Sequence, residues 1–569
     1  MKKRWKVKRI NKELGDVLVR ELNILPLTAQ LLINRGLVDA DKAFSFLKPE
    51  LKDLHDPFLL KDMDLAVERI STAIRRGERI VVYGDYDVDG TTSTALLRLF
   101  FSEIGVDVGC HIPDRLRDGY GLNAGAVKRL AAEGVTLVIT VDCGSSNVEE
   151  VRLARTLGVD VIVTDHHEMP KEPPPAYAIL NPKQSGCAFP FKGLAGVGVA
   201  FNLVMALRAR LRSSGWFTGG EPNLKKYLDL VSIGTVADIV PLLDENRIFV
   251  SHGLRELERG SRPGLKALME TAGVRPGRVD AGNIAFQLAP RINAAGRVAN
   301  ASMALDLLLA ADHQKAARLA TGLDMENTSR RRIEEETLKE ALAMIGEGPS
   351  DRGIVLCSEG WHPGVIGIVA SRLVERFARP AVLIALDGEV GRGSARGVKS
   401  FNILEGIAAC GSLLERYGGH RAAAGLTVAR DRVEEFRAEF VRYMNSTLTD
   451  DDLTPEIVLD AVVSLDEIDR RMISEMDALS PFGSSNREPL LCLQDARIMS
   501  TEVVGSRHLR FKVLHNGVSR SGIGFNLAQL HPMEGEGYGI AFSPFVDEWN
   551  GTKNLRLRIK DVEGACKIC

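Results

Sequence analysis

The densest chemistry in this 569-residue chain lies in Val81-Val-Tyr-Gly-Asp85-Tyr-Asp87-Val-Asp89-Gly90, where three carboxylates occupy alternate positions. Two further clusters end apolar runs: Asp142 closes residues 135–141, and Asp165-His166-His167 closes residues 159–164. Three anions this close repel one another, and burial raises their pKa values. Divalent cations remove that penalty. Carboxylates joined by imidazoles suit Mn2+ or Mg2+ better than a structural zinc.

These residues need a frame that brings them to one place. From about residue 61 to 165 short apolar runs alternate with helical spacing: strands at 79–83, 106–112, 135–141 and 159–164, helices at 91–104, 123–133 and 148–157. That alternation predicts a parallel sheet with helices on both faces, and ligands bind such sheets outside the carboxyl ends of the strands. Asp85, Asp87, Asp89, Asp142, Asp165, His166 and His167 all fall at such ends.

Beyond a Pro-rich stretch at 169–175, residues 312–345 form a long, highly charged helical segment with Arg330, Arg331, Arg332 and Glu334, Glu335, Glu336, expected as a connecting helix whose charge is a solvated face. A second α/β unit follows, with strands at 353–357 and 381–386, a helix at 364–376, and Gly-rich turns expected at 391–397 and 418–425. After a boundary near 448–455 the chain reads as β: Leu509-Arg-Phe-Lys-Val513 alternates, Asn516-Gly517 signals a type I′ hairpin, and Leu555-Arg-Leu-Arg-Ile-Lys560 alternates again. Arg510, Lys512, Arg556 and Arg558 then share polar strand faces near Phe511, Phe525 and Trp549. That pattern fits a solvated edge or a barrel that tracks a single strand by charge and stacking.

The triplet Asp165-His166-His167 resembles the one that names the DHH phosphoesterase superfamily. So do Gly84–Gly90, Val141-Asp142-Cys-Gly144 and Ser232-Ile-Gly-Thr-Val-Ala-Asp238-Ile-Val-Pro-Leu242. Arg291-Ile-Asn293-Ala-Ala-Gly-Arg297, Trp361-His362-Pro-Gly364-Val-Ile-Gly367, Gly393-Ser394-Ala-Arg396 and Gly418-Gly419-His420-Arg421-Ala422 narrow the resemblance to its single-strand-specific exonuclease branch, from about residue 60 onward. The resemblance implies metal ligands at Asp87, Asp89, Asp142, His166 and Asp238, with Asp142 bridging two ions and His167 contacting the phosphate or the second metal. Relatives outside the branch carry His where Tyr83 stands, so Asp85 is a candidate substitute ligand. Arg115, Arg291, Asn293, Arg297, Ser394, Arg396, Gly419 and His420 are candidates for binding substrate. Arginines could hold a terminal phosphate bidentately, the Gly-rich turns could serve as a backbone nest for it, and the resemblance implies a 5′ end.

The expected architecture is therefore α/β: an N-terminal segment (1–60), a parallel-sheet catalytic core (61–311), a connecting helix (312–345), a second α/β domain (346–450) and a C-terminal OB-like barrel (455–569). The expected activity is 5′ to 3′ hydrolysis of single-stranded DNA to mononucleotides with two Mn2+ or Mg2+ ions, in repair and recombination. The alternatives are a phosphodiesterase of short oligoribonucleotides or cyclic dinucleotides, whose relatives generally lack the basic β domain, and a non-catalytic single-strand binder, whose relatives lose metal carboxylates. Lys+Arg (73) nearly balance Asp+Glu (75), so net charge carries no nucleic-acid signal. The basic start of the chain is not followed by an apolar stretch, no run approaches the ~20 apolar residues of a membrane span, and the eight cysteines are scattered. The expectation is a cytoplasmic monomer that meets single-stranded DNA and, among proteins, a single-strand-binding protein and a helicase. Cys566 and Cys569 form one C-x-x-C, two ligands short of a zinc site.

Overall fold

Five short runs rich in Val and Ile form the first sheet: β1 (Ile80–Gly84), β2 (Gly109–His111), β3 (Leu137–Val141), β4 (Asp160–Thr164) and β5 (Ala178–Leu180). All pairings are parallel, in the order β2-β1-β3-β4-β5. Alternate residues feed opposite cores. Ile80, Val82, Ile139 and Ile162 join one cluster, whereas Val81, Val138, Val161 and Val163 join another with Val127, Leu130 and Val151 of the helices Ala124–Ala132 and Val148–Thr156. Burial on both faces explains why these strands read as continuous apolar runs. The strand expected at 106–112 shrinks to β2. β5, hidden behind the Pro-rich stretch, is too short for periodicity to reveal.

In this computed structural model the chain is described except for residues 1–2, 114–118, 120, 276, 278, 299–301, 550–551 and 565–569 and the side chains at 297–298, 548–549 and 552–553; Cys566 and Cys569 thus lie outside the described residues. The helices that matter for the site are α1 (Val88–Glu103), α2 (Gly196–Ser213), α3 (Leu228–Ala237), α4 (Asp244–Arg259) and α5 (Ala289–Val298). Among the described residues no helix is long and apolar enough to cross a membrane.

The chain divides into two units, one chiefly Asp324–Ile457 and one chiefly Lys6–Gly296 with Val458–Cys569. The long segment is a single helix, α6 (His313–Ile345). Arg331, Arg332, Glu335 and Glu336 are exposed, as expected of most of its charge, but part of that charge is buried. Asn327, Arg330, Glu334 and Thr337 are buried at helical spacing, with Arg330 Nη1 2.7 Å from Glu334 Oε2, and Arg372 completes the pairing from α7 (Ile366–Phe377). Charge here disguised a buried stripe.

In that unit β6 (Ile354–Ser358), β7 (Ala381–Asp387), β8 (Val390–Arg396), β9 (Arg416–His420) and β10 (Ala423–Ala429) form a sheet ordered β9-β10-β8-β7-β6. The Gly-rich stretches expected as phosphate-cradling turns are therefore strands. β8 is paired on both sides, so its backbone groups are engaged in ladders and provide no nest. Its glycines make room for crossing side chains: a Cβ at Gly393 would lie 2.6 Å from the Leu426 side chain.

In the other unit β11 (Leu491–Val504), β12 (His508–His515), β13 (Val518–Gly524), β14 (Gly535–Trp549) and β15 (Thr552–Gly564) close a five-stranded barrel, since β14 pairs with both β15 and β11. Asn516 and Gly517 both take positive φ (46° and 76°), as a type I′ turn requires. Leu509, Phe511, Val513, Leu557 and Ile559 fill the interior, and Arg510, Lys512, Arg556 and Arg558 point outward.

The N-terminal helices Lys12–Leu22, Pro26–Ile33 and Ala40–Leu47 are not a separate appendage. Leu18, Leu31, Leu32 and Phe46 share one core with Leu479, Leu491, Phe511 and Phe542 of the C-terminal region. Arg247 of α4, 2% exposed, ties this assembly to the catalytic core. Its Nε donates to Phe46 O (2.7 Å), Nη1 to Leu479 O (2.9 Å), and Nη2 to Ala478 O (3.0 Å) and Ser480 O (2.7 Å). The carbonyl ends of two helices, Ala40–Leu47 and Arg470–Asp477, thus converge on one cation, which suits their dipoles.

Candidate metal centre

Register alone builds the site. Gly84 pairs with Val141, and Val141 with Thr164. The next residues, Asp85, Asp142 and Asp165, therefore emerge side by side from strands roughly 4.8 Å apart. The strand order reverses between β1 and β3, which is where open α/β sheets hold ligands. After β1 the chain turns sharply into α1. Asp87 caps that helix by accepting from Gly90 N (3.0 Å), and a Cβ on Gly90 would lie 2.5 Å from the Asp85 backbone.

Asp89, in the first turn of α1, also receives the first turn of α2: Gly196 N donates to Oδ2 at 2.7 Å and Val197 N to Oδ1 at 2.8 Å. Two helix N-termini thus hold one carboxylate, in the sense their dipoles favour. Asp238 stands at the carboxyl end of α3. Donor atoms then fall into three groups, each within 4.8 Å: Asp85, Asp87 and Asp142; Asp89, His166 and Asp238; Asp142, His166 and His167. Asp142 and His166 link them.

His166 Nε2 lies 3.1 Å from Asp142 Oδ1, 3.4 Å from Asp238 Oδ2 and 3.8 Å from Asp89 Oδ2, yet makes no hydrogen bond among the described residues. Burial, then the neighbouring His167, pushes its pKa down to about 3, so it stands neutral with a lone pair to give. Asp165 is the organiser. Its Oδ1 accepts from His166 N (2.7 Å), His167 N (3.1 Å) and His167 Nδ1 (2.8 Å), and Oδ2 accepts from Ser145 N (2.9 Å). Although burial opposes it, the hydrogen bond and charge of His167 hold Asp165 well below the usual carboxylate range. Burial acts against His167 too, but the bond to Asp165 and that anion's charge raise it to about 9.

Three other carboxylates of the site are driven the other way. Asp89 and Asp142 are raised well above the usual range by burial, then by their neighbouring aspartates, and Asp238 is raised to about 7 by burial and by Asp87. Five aspartates crowded at a buried edge, with a neutral imidazole whose lone pair lies among their oxygens, fit hard divalent cations. The Tyr83 hydroxyl donates to Gly121 O (3.2 Å) and accepts from Asn123 Nδ2 (3.2 Å), while Asp85 is grouped with Asp87 and Asp142.

Sequence reasoning missed the supports. Asp165 was grouped with the histidines it orients, and the α2 amides that grip Asp89 passed unnoticed. A usable signal lay in Gly193-Leu-Ala-Gly196: a Cβ at Gly196 would lie 2.8 Å from Asp142, and one at Gly234 2.9 Å from Asp89 Oδ1. Among the proposed substrate contacts, Arg291 and Asn293 sit on α5, whose Gly296 packs against the Tyr86 carbonyl so closely that a Cβ would lie 2.7 Å from it. Arg291 Nη1 donates to Gln287 O (2.6 Å). Arg115 lies outside the described residues, as does the side chain of Arg297. In the other unit Arg396 Nη1 donates to Ser394 Oγ (3.0 Å) and Ala395 O (2.8 Å), and a Cβ at Gly367, in the first turn of α7, would lie 2.7 Å from Arg396 Nη2. Gly419 and His420 lie on the exposed edge strand β9. On the barrel, Arg510, Arg556 and Arg558 pair with Glu502, Asp547 and Glu488 at 2.8–3.0 Å, so this face is less basic than its sequence reads.

A parallel sheet that delivers Asp-rich and Asp-His-His strand ends to one edge defines a DHH-type protein. Family models agree: the DHH family N-terminal domain matches residues 79–235, the DHHA1 domain 350–446 and the RecJ OB domain 459–561. Similar curated proteins include the single-stranded-DNA-specific exonuclease RecJ of Bacillus subtilis, 39% identical over 98% of this chain and 71% of its own, and that of Escherichia coli, 36% identical over 94% and 96%. Among solved structures, RecJ from Thermus thermophilus in complex with Mn2+ is similar with a TM-score of 0.85 and 32% identity, covering 98% of this chain and 79% of that one. The chain belongs to the RecJ family.

Proposed function

We propose that this chain degrades single-stranded DNA from its 5′ end to mononucleotides, using two Mn2+ or Mg2+ ions at the carboxyl edge of β1, β3 and β4. As a RecJ-family member it is a metal-dependent, single-stranded-DNA-specific exonuclease. The observation that carries the two-ion reading is that Asp142, grouped with Asp85 and Asp87, also lies 3.1 Å from Nε2 of His166, which is grouped with Asp89 and Asp238. In this reading Asp85, Asp87 and Asp142 hold one ion, and Asp89, His166 and Asp238 the other, with Asp142 between them. Bound there, the ions would activate water and neutralise the scissile phosphate.

The chain's own groups do the rest. Asp165 fixes the ring of His167, whose half-exposed face can donate to a phosphate oxygen. The amides of Gly196 and Val197 hold Asp89 in place. Arg291 and Asn293 serve the strand as substrate contacts, and Arg297 joins the hold on the terminal phosphate, with Arg115 as a further contact. Ser394 and Arg396, beneath the first turn of α7, take the terminal phosphate, where a helix N-terminus favours an anion; Gly419 and His420 contribute from β9. The outward Arg510, Lys512, Arg556 and Arg558 follow the strand across the barrel. A cytoplasmic monomer working with a single-strand-binding protein and a helicase completes the reading.

The test is hydrolysis of end-labelled single-stranded DNA, duplex DNA and RNA, with Mn2+, Mg2+ or chelator. Mononucleotides released from the 5′ end of single-stranded DNA alone, only with metal, are expected. Cleavage from the 3′ end, or internal cleavage, overturns the polarity and with it the anchor.

A further inference from the structure

Ile239 immediately follows Asp238 and adopts a conformation that is costly for an isoleucine. It occupies φ +61°, where a β-branched side chain crowds its own backbone. The position is the one just past the end of α3 where a chain commonly reverses through a left-handed residue, most often glycine. Glycine or asparagine would meet the geometry without that clash. The side chain is also 74% exposed, so it returns nothing to the core. Its neighbours leave it no freedom to retreat: Ile239 N donates to Val236 O (3.3 Å), Asn246 Nδ2 holds Pro241 O (2.9 Å), and Leu242, 2% exposed, is fixed by its N–H to Ser484 O (2.9 Å). The surrounding hydrogen bonds thus hold a strained backbone that presents a large apolar group to solvent, one residue from a carboxylate 3.4 Å from His166 Nε2.

We propose that Ile239 is a substrate-contacting residue: its side chain packs against the base of a nucleotide flanking the scissile phosphate and so seats the strand on the metal cluster. The inference rests on the exonuclease reading and deepens it. Every base offers an apolar face, so such a contact grips without selecting sequence. A duplex end would not present that face, because its bases remain stacked and paired.

Ile239→Asn and Ile239→Gly relieve the conformation and remove the contact; Ile239→Leu keeps an apolar group. Leu157→Ala, at the amino edge of the sheet, controls for loss of an exposed apolar side chain. Steady-state kinetics on a 5′-phosphorylated thymidine oligonucleotide would be read with Mn2+ binding and thermal melting. Ile239→Asn is expected to raise KM about five- to twentyfold, the worth of partly burying one aliphatic side chain, with Mn2+ affinity and melting temperature undiminished. Ile239→Leu should recover most of the loss. Oligonucleotides abasic at successive 5′ positions should lose affinity for the wild type at one position and lose nothing further with Ile239→Asn. An unchanged KM in both Ile239→Asn and Ile239→Gly overturns the proposal, as does an abasic penalty equal in variant and wild type, or a loss of Mn2+ binding that accounts for the kinetic defect. Failure of the wild type to cut single-stranded DNA would instead strike the exonuclease reading.

Discussion

Removing the Arg247 guanidinium should uncouple the catalytic core from the barrel and its N-terminal helices, and the structure sets the scale. Burial lowers this arginine from 12.5 to about 9, which corresponds to roughly 5 kcal/mol of disfavoured charge. Four donations to carbonyls oppose it, and hydrogen bonds to a charged group are worth about 1.5–3 kcal/mol each. The balance favours the folded tie by several kcal/mol. Arg247→Ala leaves a cavity beside the Phe46 ring, on which the guanidinium stacks at 3.7 Å, and strips donors from Phe46 O, Ala478 O and Ser480 O, whereas Leu479 O keeps Asn486. A loss of about 3–5 kcal/mol is expected, in the range for breaking a buried charged contact. Arg247→Lys, which keeps the charge but cannot reach several carbonyls at once, should lose less. Urea unfolding followed separately by Trp fluorescence and by Mn2+ release is the assay. Arg247→Ala should unfold its barrel and N-terminal helices at lower urea than the metal site, and affinity for long strands should fall more than hydrolysis of very short ones. A wild-type midpoint with one coincident transition would refute the reasoning, because four buried bonds would then contribute nothing net.

Arg396→Ala should cut the preference for 5′-phosphorylated over 5′-hydroxyl ends about ten- to a hundredfold, the worth of a charge-assisted contact; competition between the two oligonucleotides measures it, and an intact preference removes Arg396 from the anchor. Replacing Arg510, Lys512, Arg556 and Arg558 together by Gln should flatten log affinity against log salt by up to about 0.7 for each phosphate no longer neutralised. Because three of these cations already have carboxylate partners, Lys512→Gln alone should account for a disproportionate share, and equal slopes would mean a merely solvated face. Glu245 gives a pH signature. Burial raises its carboxyl from 4.5 to about 7, so the folded chain holds that proton more tightly than the unfolded one. Its contribution is full below about pH 4.5 and is lost as pH rises through 7, by roughly 3 kcal/mol. Glu245→Gln should therefore gain stability over wild type between pH 5 and 8, and parallel melting curves across that range would contradict the assignment.

Three strands of the parallel sheet, β1, β3 and β4, were legible because they are interior: each is a short apolar run that ends in a candidate ligand or its neighbour, and register converts sequence neighbours of strand ends into spatial neighbours. The supports of the site were not, since Gly196 and Gly234 act through what they lack, and Asp165 looks in sequence like one more ligand. The second unit was misread where glycine meant close packing across a ladder rather than a turn, as at Gly393. The buried stripe of α6 escaped because Arg330 and Glu334 count as surface residues until their partners are seen. The association of the helices within residues 12–47 with the barrel has no sequence signal at all, being a shared core between distant parts of the chain to which Arg247 also bonds. A cut near Thr454 would accordingly expose Leu18, Leu31 and Leu32, so the barrel is better tested by charge replacement than by truncation.

The proposed hydrolysis depends on two cations that share Asp142. Its direct test is Asp142→Ala, assayed on 5′-labelled single-stranded DNA at saturating Mn2+, with Mn2+ stoichiometry from calorimetry and the melting temperature in chelator. The prediction is two ions bound by the wild type, fewer by the variant, no detectable mononucleotide release, and metal-free stability that does not fall, because burial and neighbouring aspartates already disfavour that carboxylate's charge. Near-wild-type turnover, or two ions bound as tightly as before, would contradict it.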